Sequence, residues 1–373
     1  MPEKTSALYS SFVIDGIRQE CTPARLLQPL CDADLRAPQG AEEHCVVDET
    51  VDPVARNFDM DSADVAQSLE TVLSARRRAP LAYSDSFTRF RMATALEDAL
   101  WKKGSFRLGD LSLSASWKCN ERKVGGLAAF YQSVTGAADY IDTLGLRFSD
   151  VSYARSSTDG GVCFRALVAR NSESDDFFTQ DPFRSVAPKF SSVRACPATL
   201  APDPQSWIIY IPFDTADFRL GGSLLAQEAL IGGAPVQITD ADCFIDCFEV
   251  VREFVEDGLL LSGATVADGG LLTALNRMTE GSCAAQADIS AIMHSYQEKH
   301  ALRVLFAEVP GVIIQIRDSD FDYMDAELLL QDVAYFPLGH PDPSGTGVRV
   351  KSSAKSGIQT ILESLIRNAE GED

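Results

Sequence analysis

The order of apolar and polar positions divides the chain into short segments of two kinds. In "DSADVAQSLETVLSARRR", Val65, Leu69, Val72 and Leu73 recur at helical spacing; Asp61 or Ser62 is placed to cap the start, and Pro80 ends the segment. "FTRFRMATALEDALWKKG" predicts a second helix, stopped by Gly104. In "FRLGDLSLSASW", Leu111, Leu113 and Ala115 alternate with Ser112, Ser114 and Ser116, the period of a half-buried strand. "GGLAAFYQSVTGAADYIDTLG" predicts a third helix, opened by Gly125 and Gly126 and closed by Gly145. "SALYSSFVIDGI" and "GVCFRALVAR" read as strands, and "SWIIYIPF" as a strand buried on both faces. "DCFIDCFEVVREFVEDG" sets Phe244, Cys247, Phe248, Val251, Phe254 and Val255 on one face, the clearest amphipathic helix of the chain. "HALRVLFAE", "DAELLLQDV" and the terminal "SGIQTILESLIRNAEGED" predict helices, and "GVIIQIRD" and "AYFPLGHP" predict strands.

Strands and helices alternate in both halves, so the expected class is α/β or α+β with mixed sheets. The halves separate at a polar, proline-bearing stretch, Asp175 to Pro204, which predicts a long loop. The 373 residues suggest two domains, and an apolar fraction of 45% allows a sizeable core. The net charge of -21 argues against nucleic-acid binding, which needs clustered Lys and Arg. The one dense basic run, "ARRRAP" at Ala75 to Pro80, is expected to be a solvated helix C-terminus. No apolar run approaches a membrane span, and the first thirty residues lack the order of a secretion signal. Nine irregularly spaced cysteines fit free thiols, so the expected setting is the cytoplasm or an organelle matrix.

Two turns carry the candidate chemistry. "RLGGSLLAQ" places Arg219 before Gly221, Gly222 and Ser223 at the start of a helix. "ADGGLL" places Asp268 before Gly269 and Gly270 at the start of another. Free N–H groups and a guanidinium suit phosphate, and two such turns facing each other would bracket a phosphorylated ligand. A packed strand-to-helix turn explains the first of them equally well. Cys243 and Cys247 lie on the apolar stripe and read as core, and the four histidines are scattered without a metal-binding pattern. The carboxylates Asp175, Asp176 and Asp181 read as a solvated loop.

The order "RLGGSLLAQ", "ADGGLL", "LFAEVPGVIIQI" resembles the C-terminal half of phosphoribosylformylglycinamidine synthase, where the matching stretches read close to LGGSALAQ, HDRSDGGL and LFNEELGGVIQV. Upstream, "RRAPLAYSDSF", "LSLSASW" and "FYQSVTGAADYIDTLGL" look like the second N-subdomain of that family, whose halves resemble aminoimidazole ribonucleotide synthetase. The likeness runs from about Val65 to His340. It implies an N-terminal arm at 1–48, a synthetase-like N-subdomain with an antiparallel sheet at 49–175, a C-subdomain with a mixed sheet and packed helices at 205–345, and a C-terminal helix with an acidic tail at 346–373. It implies a family activity, the ATP-dependent amidation step of purine synthesis, and a structural Mg-ADP or Mg-ATP site in this half. It further implies that these residues lack the catalytic half and the glutaminase, and that a homodimer or hetero-partner forms through the N-subdomain sheet.

Against that pattern the charged positions are depleted. The family's PVGKDSMSM is replaced after "LGL" by "RFSDVSYARSS", so Val151, Ser152, Tyr153 and Ala154 stand at its Gly, Lys, Asp and Ser, with Arg155 the nearest cation. In HDRSDGGL the first four residues become Ala264, Thr265, Val266 and Ala267. The helix that supplies a Glu and an Asn to the family's metal offers Glu97 or Asp98 and no Asn; of NEE, Glu308 alone remains. Magnesium wants hard oxygens in near-octahedral order, so Asp268 and Glu308 are a depleted metal set. The nucleotide candidates are Arg155, Arg219, Gly221, Gly222, Ser223, Asp268, Gly269 and Gly270. The expected function is a non-catalytic half, or else a degenerate homologue serving as a pseudoenzyme scaffold within a larger complex.

Overall fold

In a computed structural model, which describes residues 6–37, 44–56, 58–60, 63–168 and 189–352, the elements follow the sequence pattern closely. Strand β1 (Ser11–Ile14) turns at Asp15 and Gly16, both of positive φ, into β2 (Ile17–Arg18). After helix α1 (Pro23–Leu27), β3 (Cys45–Asp48) returns parallel to β1. The single strand expected from Ser6 onward is therefore a 3-10 turn over Ala7–Tyr9, capped by Ser6, followed by a hairpin.

Helix α2 (Val65–Ser74) is capped by Asp64, whose carboxylate accepts from Ala66 N at 2.8 Å. The expected caps, residues 61 and 62, lie outside the described residues. Next come α3 (Ser84–Leu100), β4 (Lys102–Ser105), β5 (Leu111–Cys119), α4 (Gly126–Thr143), β6 (Arg147–Arg155), β7 (Gly161–Val168) and β8 (Lys189–Arg194). Strand β8 corrects the expected loop: it pairs antiparallel with β4. The three-stranded sheet has the order β6-β5-β7. Its polarity is mixed rather than antiparallel, because α4 carries the chain back across the sheet and lays β6 parallel to β5.

The second half contains β9 (Trp207–Pro212), α5 (Leu224–Ala229), α6 (Ala241–Glu256), β10 (Leu260–Thr265), α7 (Gly270–Thr279), β11 (Ala284–Asp288), α8 (Ser290–Ser295), α9 (Ala301–Phe306), β12 (Gly311–Ile316), α10 (Phe321–Leu330), β13 (Phe336–Gly339), β14 (Pro341–Asp342) and β15 (Val348–Lys351). Its main sheet, β10-β12-β9-β13, is antiparallel throughout. The mixed polarity expected here is confined to the small sheet β14-β11-β15. Ile208, Ile209, Ile211, Val312, Ile313 and Ile314 are fully buried, as their unbroken apolar runs require. The terminal helix expected from Ser356 lies outside the described residues.

Helix α3 joins the halves. It packs on α4 and β7 to one side and on α6, β10 and β12 to the other. Phe90, Met92, Ala93, Leu96, Ala99 and Leu100 are buried accordingly. Arg252 of α6 lies at 1% exposure within this contact, on the apolar face of its helix. Its guanidinium donates to the carbonyls of Leu100 (2.8 Å), Lys102 (3.0 Å) and Gly104, and stacks over Phe106 with 4.1 Å to the ring centroid. The first is a carbonyl freed where α3 ends, at the negative pole of its dipole, and the other two belong to β4 just beyond. Arg252→Met keeps the apolar stem and leaves those carbonyls without their donor, so it is expected to cost about 3 kcal/mol, read as a lower urea midpoint at unchanged m-value.

Candidate functional site

The two glycine turns meet at one carboxylate. Glu308 follows α9 and is 6% exposed. Its Oε1 accepts three N–H groups: Leu224 N at 2.9 Å, Gly269 N at 3.0 Å and Arg77 Nη1 at 3.0 Å. Its Oε2 accepts from Arg77 Nη2 at 2.7 Å. One backbone donor from each turn thus converges on a side chain of the protein itself. Burial pushes the Glu308 carboxyl up, and the Arg77 guanidinium pulls it back.

The shape of the turns is set by close approach. Gly222, Gly269 and Gly270 all have positive φ. A Cβ on Gly269 would stand 2.5 Å from Val72 Cγ1, and one on Gly270 would stand 2.7 Å from the Ala307 carbonyl oxygen. Helix α2 therefore lies directly against the second turn, and Arg77, three residues past its end, reaches between the two turns. For Arg77 this overturns the expectation that the "ARRRAP" run is solvated: its side chain is 14% exposed and stacks over Phe87 at 4.7 Å. Arg76 and Arg78 are exposed, the latter at 57% and paired with Glu228.

Asp268 bonds Arg91 Nη1 through Oδ2 at 3.3 Å, and its Oδ1 lies 3.7 Å from Arg77 Nε. Arg219 lines the same cleft as Gly221, Gly222 and Ser223, but its guanidinium pairs with Asp217 at 2.7 Å and is 45% exposed. Ser223 caps α5 by accepting from Ala226 N at 3.2 Å. Arg155 ends β6, bonded to Glu121 at 2.9 Å, and does not line this cleft. Among the described residues no group of three or more His, Cys, Asp or Glu is placed to hold a metal ion.

A third Gly-Gly helix start uses the same device. At Gly125 and Gly126 the carboxylate of Asp48, at the end of β3, accepts from Gly125 N (3.0 Å), Leu127 N (2.9 Å) and Ala128 N (3.2 Å). Sequence reasoning missed Asp48 and Arg77, because each acts on a turn far away in the chain. Between the halves lies an open cavity of about 390 Å³, bordered by Val51, Pro80, Tyr83, Lys123, Gly222 and Leu230. The cations at its rim are paired: Lys123 with Asp159 at 2.9 Å, and Arg78 with Glu228 at 3.3 Å.

No family model matches the chain. Human phosphoribosylformylglycinamidine synthase is 25% identical over 312 residues, which is 80% of this chain and 20% of that protein. The Drosophila melanogaster protein of the same name is 30% identical over 160 residues, 40% of this chain and 12% of that one. The chain is similar to phosphoribosylformylglycinamidine synthase over most of its length. It spans about a fifth of the human synthase and about an eighth of the fly synthase. Among solved structures, T. maritima PurL complexed with FGAR superposes with a TM-score of 0.51 at 14% identity, over 74% of this chain and 42% of that one. That likeness shows a shared fold of synthetase-like domains.

The two acidic positions of α3 are also separated by the fold. Asp98 accepts from Thr265 Oγ1 at 2.8 Å, and Thr265 accepts in turn from Trp101 Nε1 at 2.9 Å. Glu97 points into the core at 0% exposure, and neither oxygen has a hydrogen-bond partner among the described residues. Burial, and then the Asp98 charge, push its carboxyl well above the usual range, and the Gly311 backbone offsets this only in part. The folded protein therefore holds a proton that the unfolded chain releases above about pH 4.5. The contribution of this group to stability falls by about 1.4 kcal/mol per pH unit from there until the folded group ionises. Glu97→Gln is expected to match the parent below about pH 4.5 and to exceed it by a margin that grows as pH rises, measured as Tm against pH.

Proposed function

We propose that this chain is a synthetase-like module of the phosphoribosylformylglycinamidine synthase type that serves as a structural or interaction subunit, a pseudoenzyme half and not an amidating one. The observation that carries this reading is the Glu308 carboxylate, which takes up one backbone donor from each glycine turn. A bound phosphate would compete for the same N–H groups with an acidic side chain that is already buried and ion-paired. The family activity, ATP-dependent amidation in purine synthesis, enters through the named relatives alone.

Calorimetric titration of the full chain with ADP and ATP, each with and without magnesium, is the direct test. The expected result is no saturable heat at millimolar nucleotide. Micromolar, magnesium-dependent binding that disappears in Asp268→Ala would overturn the reading.

The same reading assigns the N-subdomain sheet to assembly with a second copy or a hetero-partner. In support, β7 borders only β5 among the described residues and so offers a strand edge. Sedimentation at micromolar concentration is expected to show a species larger than 40.5 kDa; a monomer alone and with candidate partners would count against it.

A further inference from the structure

We propose that Arg77 is a built-in cation, holding together the two turns and two carboxylates that would otherwise need a metal ion to do so. The inference rests on the reading above that the turns hold no nucleotide. It adds the identity of the group that replaces it and the consequence of removing that group.

A magnesium–nucleotide unit does not fit the residues present. It would require Glu308 to offer a free oxygen to the metal and the turns to offer free N–H groups to phosphate. Glu308 Oε1 already accepts from Leu224, Gly269 and Arg77, and Oε2 from Arg77 again. The pairing is bidentate, the geometry for which a guanidinium is shaped and a spherical ion is not.

Charge counting agrees. The cluster has two carboxylates, Glu308 and Asp268, and two guanidiniums, Arg77 and Arg91. It is neutral without any added ion. Position agrees as well. Arg77 lies just past α2, whose Val72 abuts Gly269, and its guanidinium is flanked by the Phe87 ring of α3. One side chain thus ties α2 and α3 to both turns of the second half. The fit is incomplete at one place: Arg77 Nε and Asp268 Oδ1 are buried, 3.7 Å apart, and neither has a hydrogen-bond partner among the described residues. Arg77 therefore holds Asp268 by charge alone, while Arg91 supplies the hydrogen bond to its other oxygen.

The test compares the full-length protein with Arg77→Met, Arg77→Lys and the double variant Arg77→Met/Glu308→Gln. Thermal melting is followed with and without millimolar MnCl2, and free Mn2+ by electron paramagnetic resonance. Arg77→Met leaves Glu308 buried and unpaired, so its Tm is expected to fall by about 5–10 °C. Adding Glu308→Gln neutralises that stranded charge and should return at least half of the loss. Arg77→Lys should lose less than Arg77→Met. Mn2+ should stabilise and bind Arg77→Met, and leave the parent and the double variant unchanged. The proposal is overturned if Arg77→Met melts with the parent, if the second substitution deepens the loss, or if Mn2+ fails to act on Arg77→Met or acts equally on the parent. Should Arg77→Met not fold, a double variant that also fails to fold overturns it, and one that folds supports it. Nucleotide titration of the parent is a separate readout, so failure of the functional reading and failure of the Arg77 assignment are told apart.

Discussion

A buried carboxylate with one strong counter-ion, Glu308 with Arg77, is the constraint on which the centre of the molecule depends. An ionised group at this depth must be satisfied by charge and by hydrogen bonds. Glu308 meets both demands, but only with partners drawn from three separate places: the segment after α2, the start of α5 and the turn before α7. Each partner fixes its own neighbourhood. Gly269 and Gly270 must be glycines because Val72 and the Ala307 carbonyl crowd the turn, and that crowding is what brings the N–H groups within reach.

The same solution recurs at Asp48, whose carboxylate closes the Gly125–Gly126 start of α4. A glycine pair frees the backbone to turn tightly into a helix and leaves N–H groups unpaired. In many proteins a ligand's phosphate takes them up. Here carboxylates of the chain do so at all three places. The converse device holds the other side of the molecule, where Arg252 gathers the carbonyls at and beyond the end of α3. Helix ends, free donors at one pole and free acceptors at the other, are thus satisfied internally across the junction between the halves.

This bears on the relation to the synthase. The similarity extends over most of this chain yet covers a small part of the longer relatives, and the fold is shared with a T. maritima PurL at low identity. Fold and function separate at such distances, because packing preserves apolar positions and glycines whereas a site depends on a few charged side chains. Ser152 and Tyr153 lie within β6 and Thr265 ties Trp101 to Asp98, so these positions serve structural ends here.

The sequence alone determined the class, most elements and the turns. Period and run length reflect which side of each segment meets water, and glycine pairs reflect local sterics, so α4, α6, β9, β12 and both turns were legible from residues near one another. The sheet polarities, β8 and the cap at Asp64 were less so, since they depend on which strand returns beside which and on single hydrogen bonds. What faces the turns was decided only by the tertiary structure. Arg77 and Glu308 are separated by more than two hundred positions, as Asp48 and Leu127 are by 79. A basic run reads the same in a sequence whether its side chains meet water or a buried carboxylate. The difference is one of desolvation, and desolvation is a property of the packed whole.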